Sequence, residues 1–146
     1  MTLRQWAYFD ISVLVKRYVK EAGSLITRRL LRGVQLLSSS IMPVEAMSAF
    51  SRRRASGDLT QRDFLAIRSR LHKDQAYWEL VEVSETVLLE AEDLVEKTNV
   101  RTLDAIHLAS AIVFQSETGL MIPFITGDAK QRAAAHMLGF TVIWVE

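Results

Sequence analysis

The chain has 146 residues, 49% apolar and 24% charged, enough for one domain with a real core and no help from disulfides or a structural metal. It contains no cysteine, which excludes a disulfide scaffold, a thiol nucleophile and a cysteine-based zinc site, and fits a reducing cytoplasm. The net charge of +1 hides an asymmetry: residues 1–73 hold fourteen Lys and Arg against five Asp and Glu, and residues 74–146 hold four against twelve.

The opening MTLRQWAYFD has neither a long apolar stretch nor a small-residue cleavage site, so no signal peptide is expected. No apolar run approaches the ~20 residues of a membrane span. Residues 5–9 (QWAYF) are too short for a helix and read as a buried strand that ends at Asp10. Helical periodicity follows over 12–21 and again over 24–32, closed by Gly23 and Gly33. Residues 34–41 (VQLLSSSI) read as a second strand. Pro43 then stands where a first helical residue would, opening a helix to about Ala55. Thr60 or Asp58 starts another, to about Lys73. Residues 79–83 alternate as a third strand, and Ser84 caps a helix to about Lys97. Thr102 opens an apolar helix to about Glu117. A strand over 121–126, a helix from Asp128 to Leu138 and a strand over 140–145 complete the chain. Strands alternating with helices predict a single α/β domain over 1–146, three layers around a five-stranded, mainly parallel sheet.

In such a sheet ligands bind at the carboxyl ends of the strands. Asp10 follows the first strand, Glu45 follows the second by a short turn, and Thr126 and Asp128 close the fourth. Asp104 sits in the first turn of a helix that is apolar nearly all round, where a lone ionised carboxylate is costly unless a cation partners it. Each acid also has a plain structural reading. Asp104 can serve the dipole of its helix, Asp10 a turn, and Glu45 and Asp128 can cap helices. What favours function is convergence, since capping acids have no reason to meet at one sheet edge. Four clustered carboxylates need protons or cations, and an all-oxygen set suits Mg²⁺ or Mn²⁺, one ion or two. Such sites hydrolyse phosphodiesters. Ser12 and Thr126 are placed to support them, and Arg52 and Arg53, on the helix that bears Glu45, are placed to guide a polyanion. His107, on the packed helix, is read as structural.

Four blocks in order resemble the PIN-domain nucleases, in particular the VapC-like toxins of toxin–antitoxin pairs. YFDISVLVKRYVKEAGS is similar to the family opening, with Asp10. SSIMPVEAMSAFSRR is similar to the second block, with Glu45. RTLDAIHLASA, the most specific, is similar to the third, with Asp104. FITGDAKQRAAAHMLGFTVI is similar to the last, with Thr126 and Asp128. Ile11 stands where members commonly carry Thr or Ser, and Ser12 keeps the next hydroxyl. The fourth acid varies more among members than the first three.

The resemblance implies a cytoplasmic endoribonuclease that leaves a 5′-phosphate and a 3′-hydroxyl, a homodimer, and a small cognate antitoxin. RNA as substrate, the dimer and the antitoxin come from the resemblance alone. Alternatives are a PIN-type nuclease that matures RNA without an antitoxin, and an inactive PIN-fold binding module. An aspartyl phosphatase would want a second acid at position 12, and a receiver domain extra acids near the end of the first strand; the chain has neither.

Overall fold

The computed structural model describes residues 4–146. Five strands, β1 (Gln5–Phe9), β2 (Val34–Ser39), β3 (Glu79–Val81), β4 (Phe124–Thr126) and β5 (Val142–Trp144), pair in the order β3-β2-β1-β4-β5. Every pairing is parallel, so the sheet is wholly rather than mainly so. Seven helices cover it: α1 (Ile11–Tyr18), α2 (Ser24–Gly33), α3 (Met42–Ala55), α4 (Gln61–Asp74), α5 (Glu85–Thr98), α6 (Thr102–Thr118) and α7 (Ala129–Met137). A 3₁₀ turn, Gln75–Tyr77, leads into β3.

Alternation along β1 sorts the two layers. Ala7 and Phe9 point to one face and pack with Val13, Leu14, Met42, Phe50 and Leu71 from α1, α3 and α4. Tyr8 points to the other and packs with Leu94, Leu108 and Ala135 from α5, α6 and α7. Because both faces are covered, β1 and β4 read as short continuous apolar runs. The chain builds outward from β1 through β2 to β3, then returns to lay β4 on the opposite side of β1. The seam between β1 and β4 is therefore where the strand order reverses, the place in an open parallel sheet where a crevice forms beyond the carboxyl ends.

The predicted elements are all present, with differences at their ends. The first helix stops at Tyr18 rather than at 21, because Val19 turns extended ahead of the left-handed Gly23. Strand four starts at Phe124 rather than 121, after Pro123, which has no N–H to give a ladder but still accepts from the Tyr8 N–H at 2.9 Å. The second, third and fifth strands are likewise shorter than 34–41, 79–83 and 140–145. Helix α6 is not buried all round: Leu103, in its first turn, is half exposed, and full burial begins at Ala105. No helix among the described residues is long and apolar enough to cross a membrane.

Candidate active site

Asp10 is the first residue beyond β1 and the N-cap of α1. Its backbone N–H still belongs to the sheet, donating to Ile125 O at 3.2 Å, while its carboxylate already serves the helix, accepting from Ser12 N at 3.0 Å. Strand end and helix start thus share one residue, and the side chain cannot leave the β1–β4 seam. Two hydroxyls complete its surroundings: Ser12 Oγ donates to one oxygen, and Thr126 Oγ1 donates to the other at 2.5 Å. Asp10 is only 3% exposed. Burial holds its carboxyl above the usual carboxylate range; the Ser12 and Thr126 hydroxyls pull it down, and the Asp128 charge adds to the rise.

The loop after β4 is fitted to this arrangement. Gly127 donates its N–H to Ser12 Oγ at 2.8 Å, and a Cβ built on Gly127 would stand 2.6 Å from the carbonyl oxygen of Val145. Glycine is required there by close approach of two backbones. Next in the chain, Asp128 caps α7, with Oδ1 accepting from Lys130 N at 2.9 Å and Gln131 N at 3.0 Å. Gln131 is itself buried and donates from Nε2 to the backbone oxygen of Asp104 at 3.2 Å, tying α7 to the first turn of α6.

Asp104 is half-buried at that first turn and has no hydrogen-bond donor of its own among the described residues. Burial raises its carboxyl above the usual range; Asp128 and Glu45 push it further, and His107 and Arg101 oppose them. The Asp128 charge thus bears on both Asp10 and Asp104, and that of Glu45 on Asp104.

Glu45 does not cap its helix, which starts at Met42 with no side-chain cap. It is held against α6, where its Oε1 lies 2.5 Å from Nε2 of His107. On the other side of that ring, Nδ1 stands 2.7 Å from the Tyr8 hydroxyl. Burial pushes the Tyr8 phenol far above its ordinary value, so it meets the ring as a neutral hydroxyl. On the far side Nε2 donates to the Glu45 carboxylate. A buried chain from β1 through α6 fixes a carboxylate on α3. Sequence reasoning gave His107 a structural role and did not see Tyr8; the one clue was a phenol between Ala7 and Phe9 in the buried part of the strand.

Among the described residues no three His, Asp or Glu side chains stand close enough, as arranged, to ligate one ion. The physical reason is visible: Asp128 is turned to its own helix and Glu45 to His107. The donor set nonetheless fits a hard divalent cation. It is all oxygen, and two of its carboxyls, Asp10 and Asp104, are raised first by burial and further by the Asp128 charge, which a cation would reverse.

Beside the acids runs a groove of about 780 Å³ between α1 and α3. Ser12, Glu45 and Leu103 line it, and so do Arg52 and Arg53. The two arginines differ. Arg53 is paired with Glu21, whereas exposed Arg52 donates to the neutral Ser48 hydroxyl at 2.6 Å.

A sequence model of the PIN domain matches residues 7–143. Ribonuclease VapC49 of Mycobacterium tuberculosis is 32% identical over 139 residues, covering 92% of each chain. Ribonuclease VapC46 of the same organism is 35% identical over 137 residues, covering 93% of this chain and 95% of its own. In structure the chain is similar to VapBC2 from Rickettsia felis, solved bound to a DNA fragment from its promoter, with a TM-score of 0.67, 13% identity and coverage of 97% and 100%. Ribonucleases of this kind generally depend on a divalent metal. With residues 7–143 matched by the domain model and relatives above 30% identical over nearly its whole length, the chain belongs to the PIN-domain family.

Proposed function

We propose that the protein is a metal-dependent endoribonuclease, the toxin of a toxin–antitoxin pair, acting in the cytoplasm as a homodimer and restrained by a small antitoxin. One observation carries the reading: Asp10 is buried at the strand-order reversal, held by two hydroxyls and one N–H, with no Lys or Arg hydrogen-bonded or ion-paired to it among the described residues. A charge kept in so costly a place without a counter-charge is what a cation site needs. The relatives named ribonuclease VapC supply the substrate class.

Asp10, Glu45, Asp104 and Asp128 are the residues to hold Mg²⁺ or Mn²⁺. When bound, the ion stabilises charge developing on the phosphate and lowers the pKa of water. The chain's own groups do the remainder. Ser12 and Thr126 fix both oxygens of Asp10, so that carboxylate needs no reorganisation as charge develops. His107 holds Glu45 in one orientation. Asp104, half-buried and with no donor of its own among the described residues, is free to turn to the ion or to take the proton of the attacking water. In the reaction the water oxygen bonds to phosphorus, the bond from phosphorus to the 3′ oxygen breaks, and the proton given up by the water is returned to that 3′ oxygen. The products are a 5′-phosphate and a 3′-hydroxyl.

The test is purified protein on RNA with Mn²⁺, with Mg²⁺ and with EDTA, reading the ends of the fragments. A cut that needs metal and leaves those ends is expected. Cleavage unaffected by EDTA, or none with either ion, would overturn the proposal.

A further inference from the structure

A second polar cavity lies at the opposite edge of the sheet. It occupies about 420 Å³ between the last turn of α1, α2, the starts of β1 and β2, and the 3₁₀ turn. Arg4, Arg17, Arg28 and Arg32 line it, and Asp74 is the one carboxylate on its wall. That carboxylate is already engaged, accepting from the Tyr18 hydroxyl at 2.6 Å and lying 4.0 Å from Arg17. Arg4, Arg28 and Arg32 make no ion pair among the described residues. Arg28 and Arg32 sit one turn apart on α2, a spacing at which like charges repel. Aromatic rings complete the wall: Tyr77, 78% exposed, and the half-buried Trp78. Guanidiniums match phosphate in a planar, forked way, and exposed aromatic faces take a base by stacking.

We propose that this cavity binds a nucleotide unit, its phosphate on Arg28 and Arg32 and its base against Tyr77. The unit is either a free nucleotide or one nucleotide of an RNA strand. Arg4 precedes Asp10 by six residues of extended chain, ~20 Å, so the cavity is separate from the candidate active site. As a strand-binding site it rests on the nuclease reading, since it would then grip the substrate several nucleotides from the cut.

The experiment measures binding of AMP, inorganic phosphate and a five-nucleotide RNA to the full chain in EDTA, where no cleavage intervenes. Arg28→Glu with Arg32→Glu should weaken AMP binding at least ~10-fold, and Tyr77→Ala about fivefold. Inorganic phosphate should bind more weakly than AMP and ignore the Tyr77 change. If the RNA displaces AMP, the cavity serves a strand; if AMP binds and the RNA does not compete, it serves a free nucleotide. Unchanged AMP affinity in the charge-reversed variant overturns the proposal, and so does displacement of AMP by an acidic peptide as readily as by RNA. Should charge reversal unfold the chain, Arg28→Gln with Arg32→Gln replaces it. Cleavage with Mn²⁺ is scored separately: cleavage without AMP or RNA binding at the arginines sinks this proposal alone, and binding there without cleavage sinks only the nuclease reading.

Discussion

At the carboxyl edge of the sheet Asp10 is buried among hydroxyls, and Asp104 is crowded by Asp128 and Glu45. At the amino edge Arg4, Arg28 and Arg32 share a cavity wall with one occupied carboxylate. Both edges hold charge that the fold leaves uncompensated, yet they solve the problem differently. A carboxyl can take up a proton when buried, and both Asp10 and Asp104 are shifted in that direction. A guanidinium has no such escape, so Arg4 and Arg32 stay exposed. The acidic edge can therefore be deep and the basic edge must be open. The sheet also regroups what the chain separates. The first half of the sequence is basic and the second acidic, but the acidic edge takes two residues from each half.

The comparison breaks most decisively at the acids. Asp10→Asn and Asp104→Asn should each lower the cleavage rate at least ~100-fold, because each removes part of the charge that assists the reaction. Cleavage surviving either change would mean that the carboxyl edge is structural. Melting curves give the next effect. Mn²⁺ at about a hundredfold excess over its Kd should stabilise the wild type by about 2.7 kcal/mol, a rise of several degrees, and should leave Asp104→Asn nearly unmoved.

Removing the metal exposes the same acids to pH. Below the usual Asp range both carboxyls are protonated, folded or unfolded, and nothing separates the two states. As pH rises through that range the unfolded chain ionises first, so the fold loses stability until the raised folded values are passed. In EDTA, Asp104→Asn should therefore match the wild type at low pH and melt above it near neutrality. A difference that shrinks as pH rises would contradict the shift assigned to Asp104.

How far the sequence foretold these edges depends on how local each feature is. β1, Asp10 and α1 are adjacent in the chain, and an apolar run stopping at an acid is enough to place them. Helix caps at Thr60 and Ser84 are equally local, each hydroxyl accepting from the N–H three residues on. The hold of His107 on Glu45 joins residues sixty-two positions apart on helices of different layers, and no periodicity reports it. Arg53 was grouped with Arg52 by adjacency, but its partner Glu21 stands across the groove and removes it from the free charges. An apolar helix predicts burial all round, yet Leu103 in the first turn of α6 is exposed, because exposure is decided by where the helix begins.

The smallest effect separates those two arginines. Arg52 donates to a neutral hydroxyl and keeps its full charge for an incoming strand, while Arg53 is tied to the Glu21 carboxylate, which it shares with Lys16. One phosphate contact on single-stranded RNA contributes about 0.7 to the slope of log affinity against log salt. Arg52→Glu should thus weaken RNA binding several-fold and flatten the slope by about that amount. Arg53→Glu places a second carboxylate beside Glu21 and should lower the melting temperature more than the affinity. Equal loss of RNA affinity in the two variants would mean that the ion pair opens when RNA arrives, making Glu21 a gate on the basic end of the groove rather than a fixed counter-charge.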